Sequence, residues 1–216
     1  MKPIFLIGYM GSGKSTLGRV LSEMLECEFT DLDAYIENRY HKTVKQIFAE
    51  HGEAGFRELE RRMLLEVCEF QDIVIACGGG TPCFGDNMDL MNSHGVAVYL
   101  QVPVERLFQR LSRPRSKAKR PVIADKSDDE LMQFISDNLR QRDPFYSRAS
   151  IKFDTTEIET AAETRVTAAR LADILKLFFA NRVLPNGILP WPPALGRCGV
   201  GAPPGGGLHA RSRVVI

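Results

Sequence analysis

Apolar residues follow two patterns along the chain, and the two alternate. Short, mainly apolar runs over residues 2–7, 73–77 and 96–100 read as buried strands, and 28–31 and 151–154 read as two shorter ones. Between them the apolar positions take helical spacing. Leu17, Val20, Leu21, Met24 and Leu25 predict a helix over 14–25. Residues 34–70 are helical in pattern and rich in charge. There Thr43 caps a short helix, His51 and Gly52 break it, and Phe56, Leu59, Met63, Leu64 and Val67 line a longer one. Pro103 opens a helix through Leu111. Ser127 with Glu130 has the capping-box spacing and opens another to about Arg142. A last helix is expected over 159–180.

Strands alternating with helical crossovers imply a parallel sheet covered on both faces. The expected fold is therefore a three-layer α/β/α domain with a five-stranded parallel sheet. Residues 112–125 stand apart. They carry Arg113, Arg115, Lys117, Lys119, Arg120 and two prolines, without apolar periodicity, and read as a mobile basic loop. Ligands of such folds bind beyond the C-terminal strand ends. Three glycine- or carboxylate-bearing stretches fall there and are expected to converge on one cleft.

Composition narrows the class. The chain has 216 residues, 44% apolar and 25% charged, and a net charge of +1, so no general attraction to nucleic acid or membrane is expected. No apolar run is long enough to span a bilayer and no signal peptide is expected. Charge is uneven: residues 1–180 hold all 27 acidic side chains against 24 basic ones, a formal charge of −3. Residues 181–216 hold 6 of the 12 prolines, 7 of the 18 glycines and the only Trp, and read as a disordered or non-native tail beyond a 1–180 domain. Cys27, Cys68, Cys77, Cys83 and Cys198 are odd in number and lack a C-x-x-C, so reduced thiols in a cytoplasmic protein are expected.

Chemistry enters with residues 8–16, GYMGSGKST, which fit G-x-x-x-x-G-K-S/T between a predicted strand and a predicted helix. That context makes a P-loop. Glycines let the backbone wrap a phosphate, and N–H groups at the helix start face the anion. Gly11, Ser12, Gly13, Lys14, Ser15 and Thr16 are the candidate ATP contacts. Lys14 would reach the β- and γ-phosphates, and Ser15 would ligate Mg²⁺.

Phosphoryl transfer also needs an acceptor held in place and charge neutralised. Asp31 and Asp33, two apart in what reads as a strand end, would face the same way. One could hold Mg²⁺ and the other accept a hydrogen bond from an acceptor hydroxyl, or Asp33 could simply cap the next helix. Arg57 could clamp a carboxylate, though by spacing alone a solvated arginine on a charged helix is the plainer reading. Gly78, Gly79 and Gly80 after a buried strand imply close backbone approach to a ligand, or a tight turn. Arg120 could close a lid over the phosphates and exclude water, while the other basic residues of 112–125 read singly as solvated charge. Arg142 has no distinction from spacing alone.

The whole pattern resembles the shikimate kinase family over about residues 1–175. The resemblance is carried in order by residues 8–16, 29–33 (FTDLD), 47–53 (IFAEHGE), Phe56 and Arg57, Glu60, 78–80, 119–121 (KRP) and 142–146 (RDPFY). It implies a nucleoside-monophosphate-kinase-like fold with a substrate-binding region over about 33–61 and a lid over about 112–125. It implies an ATP- and Mg²⁺-dependent monomeric enzyme that phosphorylates the 3-hydroxyl of shikimate, on the route to chorismate and the aromatic amino acids. By the same resemblance Asp33 contacts the shikimate hydroxyls as base or orienting group, Arg57 and Arg142 bind its carboxylate, and Gly79 and Gly80 contact the ring. Arg120 reaches ATP, and Asp31 supports Ser15 at the metal. Two features depart from the family pattern. The lid is longer and more basic, which leaves Arg110 or Arg113 as the adenine partner. Residues 155–159 (TTEIE) lack the arginine or proline often found there. A gluconate or nucleotide kinase, or a nucleotide-binding regulatory module, would share the P-loop but not the acceptor-side set.

Overall fold

The structure, a computed structural model, describes residues 1–181 of the 216-residue chain. Its first strand is β1 (Ile4–Ile7), buried along its whole length. Phe5 and Ile7 enter one apolar layer and Ile4 and Leu6 the other, as the two-residue period of a strand requires. α1 (Lys14–Leu25), β2 (Glu28–Asp31), α2 (Leu32–Tyr40) and α3 (Val44–Cys68) follow. β3 (Ile73–Ala76) leads through a 3-10 turn to α4 (Asn87–His94) and β4 (Val96–Gln101). The chain continues through α5 (Val104–Leu111), α6 (Pro114–Ala118), α7 (Pro121–Ala124) and α8 (Asp128–Tyr146) to β5 (Ile151–Asp154) and α9 (Ala161–Ala180).

The five strands form one sheet in the order β2-β3-β1-β4-β5, with every pairing parallel. Leu6 of β1 pairs with Ala76 of β3, and Ala76 in turn with Asp31 of β2. The chain leaves β1 for β2 and β3 on one side and then crosses to β4 on the other, so a crevice opens above the central strand. One face of the sheet is covered by Leu17 and Leu21 of α1 and Leu171 and Leu175 of α9. The other is covered by Leu32 and Ile36 of α2, Phe56, Leu64 and Val67 of α3, Met88 and Met91 of α4, and Tyr146 of α8. Each fully buried Leu or Ile contributes about 1.5–3 kcal/mol relative to exposure. A third apolar cluster joins Tyr9 to Leu107 and Leu111 of α5, Ile123 of α7 and Leu131 and Ile135 of α8. This is the α/β/α arrangement expected.

Most element boundaries agree with the hydrophobic pattern. The capping boxes at Thr43–Gln46 and Ser127–Glu130 are both formed. Gly52 breaks the helix, as a kink at φ 66° and ψ −175° within α3 rather than as a gap. Three segments differ. Residues 112–125 are not loop throughout but hold α6 and α7, each with proline at its start, where the preset φ helps and the missing N–H costs nothing. α8 runs past Arg142 and through Pro144 to Tyr146, whose ring is fully buried. α4 was not expected at all. The tail over 181–216 lies outside the described residues apart from Asn181, as does Cys198; Cys27, Cys68, Cys77 and Cys83 are free thiols. Among the described residues no helix is long and apolar enough to cross a membrane.

Candidate active site

The loop after β1 is shaped by its glycines. Gly8 has φ 139°, and a Cβ there would lie 2.8 Å from the Leu100 carbonyl oxygen. Gly13, at φ 92°, is the N-cap of α1 and holds the helix start open toward a cleft of about 670 Å³. Gly11, Gly13, Lys14, Ser15 and Thr16 line that cleft on one side. Asp31, Asp33, Gly78 and Gly79 line it on another, and Arg113, Lys119 and Arg120 reach in from the basic segment. Ser12 departs from the set. Its side chain is buried beneath the loop, beside Tyr9 and Tyr99, and its Oγ has no partner.

Asp31 ends β2 and caps α2. Its Oδ1 accepts from the Asp33 N–H at 3.1 Å and its Oδ2 from the Ser15 hydroxyl at 2.7 Å. Asp33 therefore stands in the first turn of a helix, not on the strand. The expectation that both carboxylates project from one strand is corrected: the cap turns the chain immediately after Asp31. The possibility that Asp33 itself is the cap is excluded by the same bond. Burial pushes the Asp33 carboxyl up to about 6, with the Asp31 and Glu60 carboxylates adding to the rise. Lys14 moves the other way. Burial brings it down to about 8, Arg120 adds to the fall, and Cys77, Asp31 and Asp33 oppose it. Its Nζ donates to the carbonyls of Gly8 at 2.8 Å and Tyr9 at 2.9 Å.

α3 supplies the next wall. Glu60 is buried, and its two oxygens accept from Arg57 Nη1 at 2.8 Å and from the Thr81 hydroxyl at 2.5 Å. The Arg57 guanidinium lies 4.4 Å from the centre of the Phe84 ring and leaves its Nε buried without a partner. It is not a solvated arginine. A Cβ on Gly80 would sit 2.6 Å from Arg57 Nη2, and one on Gly79 would sit 3.2 Å from Arg142 Nη1. Two guanidinium groups thus rest against two successive glycines, and the Glu60 carboxylate that holds Arg57 also approaches Gly78, where Asp33 Oδ1 lies as near. Glu60, Thr81 and Tyr146, whose hydroxyl donates to the Gly79 carbonyl at 2.5 Å, are supports that side-chain chemistry alone did not single out. Glu60 was findable: it stands one helical turn from Arg57, at the i+3 spacing that pairs charges.

The far rim is tied together by Arg110. Its Nε donates to Glu159 Oε1 at 2.7 Å, Nη1 to the Gly11 carbonyl at 3.0 Å, and Nη2 to the carbonyls of Thr155 at 3.0 Å and Thr156 at 2.9 Å. Arg113 makes one bond, to Glu159 Oε2 at 2.7 Å, and stays 59% exposed. Between these two candidates Arg110 is committed to joining the P-loop with the loop after β5, while Arg113 keeps a free face. Ile158 closes over Gly13, where an added Cβ would meet its Cδ1 at 2.0 Å. Residues 155–159 therefore present an apolar side chain to the cleft despite lacking arginine and proline. Among the described residues no group of three or more His, Cys, Asp or Glu could hold a metal by itself. The Ser15–Asp31 oxygen pair could hold Mg²⁺, an ion bound chiefly by substrate phosphates and one or two protein oxygens.

The comparisons with known proteins bear on the fold and the family. The family model described as shikimate kinase matches residues 10–174. A shikimate kinase of Parabacteroides distasonis is 51% identical over 175 residues, covering 81% of this chain and 100% of that protein. The crystal structure of shikimate kinase from Bacteroides thetaiotaomicron is 49% identical with a TM-score of 0.77, covering 81% of this chain and 98% of that one. Shikimate kinase from Acinetobacter baumannii, solved in complex with shikimate, is 35% identical with a TM-score of 0.69, over 85% and 96% of the two chains. Matches of this extent, to a family model and to near full-length relatives, mean that the chain belongs to the shikimate kinase family.

Proposed function

We propose that the protein transfers the γ-phosphoryl group of ATP to the 3-hydroxyl of shikimate. The observation that carries the reading is that Lys14, Asp33 and Gly79 line one cleft, while the guanidinium groups of Arg142 and Arg57 abut Gly79 and its neighbour Gly80. A P-loop alone fits any nucleoside-triphosphate enzyme. Two guanidinium groups seated on Gly79 and Gly80, with a carboxylate of raised pKa in the cleft that Gly79 lines, fit a small acceptor that carries both an anion and a hydroxyl.

In this reading Arg57 and Arg142 take the shikimate carboxylate in charge-assisted bonds of about 1.5–3 kcal/mol each. Gly79 and Gly80 receive the ring, because any side chain there would displace a guanidinium. Asp33 accepts the proton of the attacking hydroxyl or orients it. Lys14 exchanges its two carbonyl partners for phosphate oxygens, and Arg120 closes from the lid and excludes water. Bound Mg²⁺, held by Ser15 with support from Asp31, would neutralise charge on the β- and γ-phosphates.

A coupled ADP-release assay with shikimate, gluconate, AMP and CMP as acceptors tests the reading. ADP release that depends on shikimate alone is expected; none above background would overturn it. Gly80→Ala gives a finer check. Arg57 cannot step aside easily, being fixed by Glu60 and Phe84, so the KM for shikimate should rise by about tenfold or more, the size of one lost charge-assisted bond. The KM for ATP should stay within about twofold. Steady-state kinetics with each substrate varied in turn distinguish the two.

A further inference from the structure

We infer that Tyr9 positions Arg142 for the acceptor carboxylate, holding the guanidinium against Gly79 by its aromatic face. The inference rests on the proposed role of Arg142. The P-loop pattern leaves position 9 open, so phosphate binding does not ask for tyrosine there. The side chain is 1% exposed and its hydroxyl has no partner, so neither nucleotide contact nor hydrogen bonding explains it. What the ring does touch is informative. Arg142 lies over it, 5.5 Å from the centroid, within the range of a cation–π contact. The ring is buried in one apolar cluster with Leu107, Ile123 and Leu131.

The two arginines are held by different means. Arg57 shares its charge with Glu60 and Glu53. Among the described residues Arg142 forms no ion pair; the Tyr9 ring and Tyr146 flank it instead. A carboxylate holder would compete with the carboxylate of the acceptor. A ring quadrupole attracts the cation without supplying a net charge, so the full positive charge stays available to a ligand. The same residue belongs to the phosphate loop: Gly8 O and Met10 N lie within 3.6 Å of the point where a Gly79 Cβ would stand. Tyr9 thus links the acceptor clamp to the loop that holds the donor.

The test compares Tyr9→Leu, Tyr9→Phe and Arg142→Gln, with KM measured for ATP, shikimate and the methyl ester of shikimate. Tyr9→Leu should raise the shikimate KM by about 2- to 30-fold, the range of a cation–π contact. The ATP KM should be unchanged, Tyr9→Phe should restore shikimate binding, and the Leu penalty should vanish with the ester and in the Arg142→Gln background. Equal rises in both KM values, or failure of Phe to rescue, would overturn the inference. An unchanged shikimate KM in Arg142→Gln would remove the carboxylate role itself. A raised one, with Tyr9→Leu at the wild-type value, would remove the positioning role alone. Should Tyr9→Leu not fold, Tyr9→Met carries the same comparison.

Discussion

Asp33→Asn is expected to lower kcat by about 10²- to 10⁴-fold, the range of general acid–base catalysis, while the KM for ATP stays within about twofold. Asparagine keeps the shape of the side chain and its place in the first turn of α2. It cannot take a proton. If Asp33 only ordered the helix start, the change would be mild, because the cap is Asp31. Two further readouts separate chemistry from structure. With the Asp33 carboxyl raised to about 6, kcat/KM should climb as pH rises through about 6 and lose that limb in the variant. Stability should move in the opposite direction. The folded-state value lies above the unfolded one of 3.8, so protonated Asp33 favours folding at low pH and that contribution is lost as pH rises through about 6. The Asp33→Asn variant should therefore be more stable than wild type by about 1–3 kcal/mol above that pH, with the gap closing at acid pH. Denaturant unfolding at pH 4 and pH 8 checks the sign.

Lys14→Met should reduce kcat by about 10²- to 10³-fold, as for the loss of one preorganised donor at a site of developing charge. Methionine fills similar space, so the cleft keeps its form. What is lost is a cation kept in poor solvation, which phosphate oxygens stabilise better than the two carbonyls now do. The free enzyme holds this charge only below about pH 8, so ATP binding to wild type should weaken above that pH. The methionine variant should show no such pH dependence. Calorimetric titration of ATP at several pH values, with turnover measured alongside, checks both; turnover within tenfold of wild type would sink the assignment.

The fold was legible where one residue type answers one backbone demand. Gly8 and Gly13 stand at positive φ in a strand–loop–helix context that the P-loop pattern already encodes. Thr43 and Ser127 announce helix starts through their partners three residues on. α4 stayed hidden because a run so short and polar, in which Asn87 is buried alongside Met88 and Met91, has no readable period. α8 runs beyond Arg142 because a proline in the last turn removes only one backbone bond, a loss outweighed by burying Tyr146. In the site, residue types were informative but orientations were not. Ser12 belongs to the P-loop pattern yet turns beneath it, and Arg110 and Arg113 look alike until Glu159 and the carbonyls around them are placed. Arg57 changed from an ordinary surface arginine to a fixed one only through Glu60, Phe84 and Gly80, which are distant in sequence or blank in side chain.

The strand register has a consequence for the reaction. Asp31, Ala76 and Leu6 form one row across β2, β3 and β1. Asp33, Gly78 and Gly8 each stand two residues beyond that row. Adjacent strands are about 4.8 Å apart, so β2, which ends at Asp31, lies about two such steps from β1, which opens into the phosphate loop. Backbone hydrogen bonding therefore acts as a ruler between the strand end that caps α2 and the one that carries the phosphate loop. Side-chain changes on the surrounding helices can retune how tightly a ligand is held, but the spacing of these two strand ends is written into the sheet.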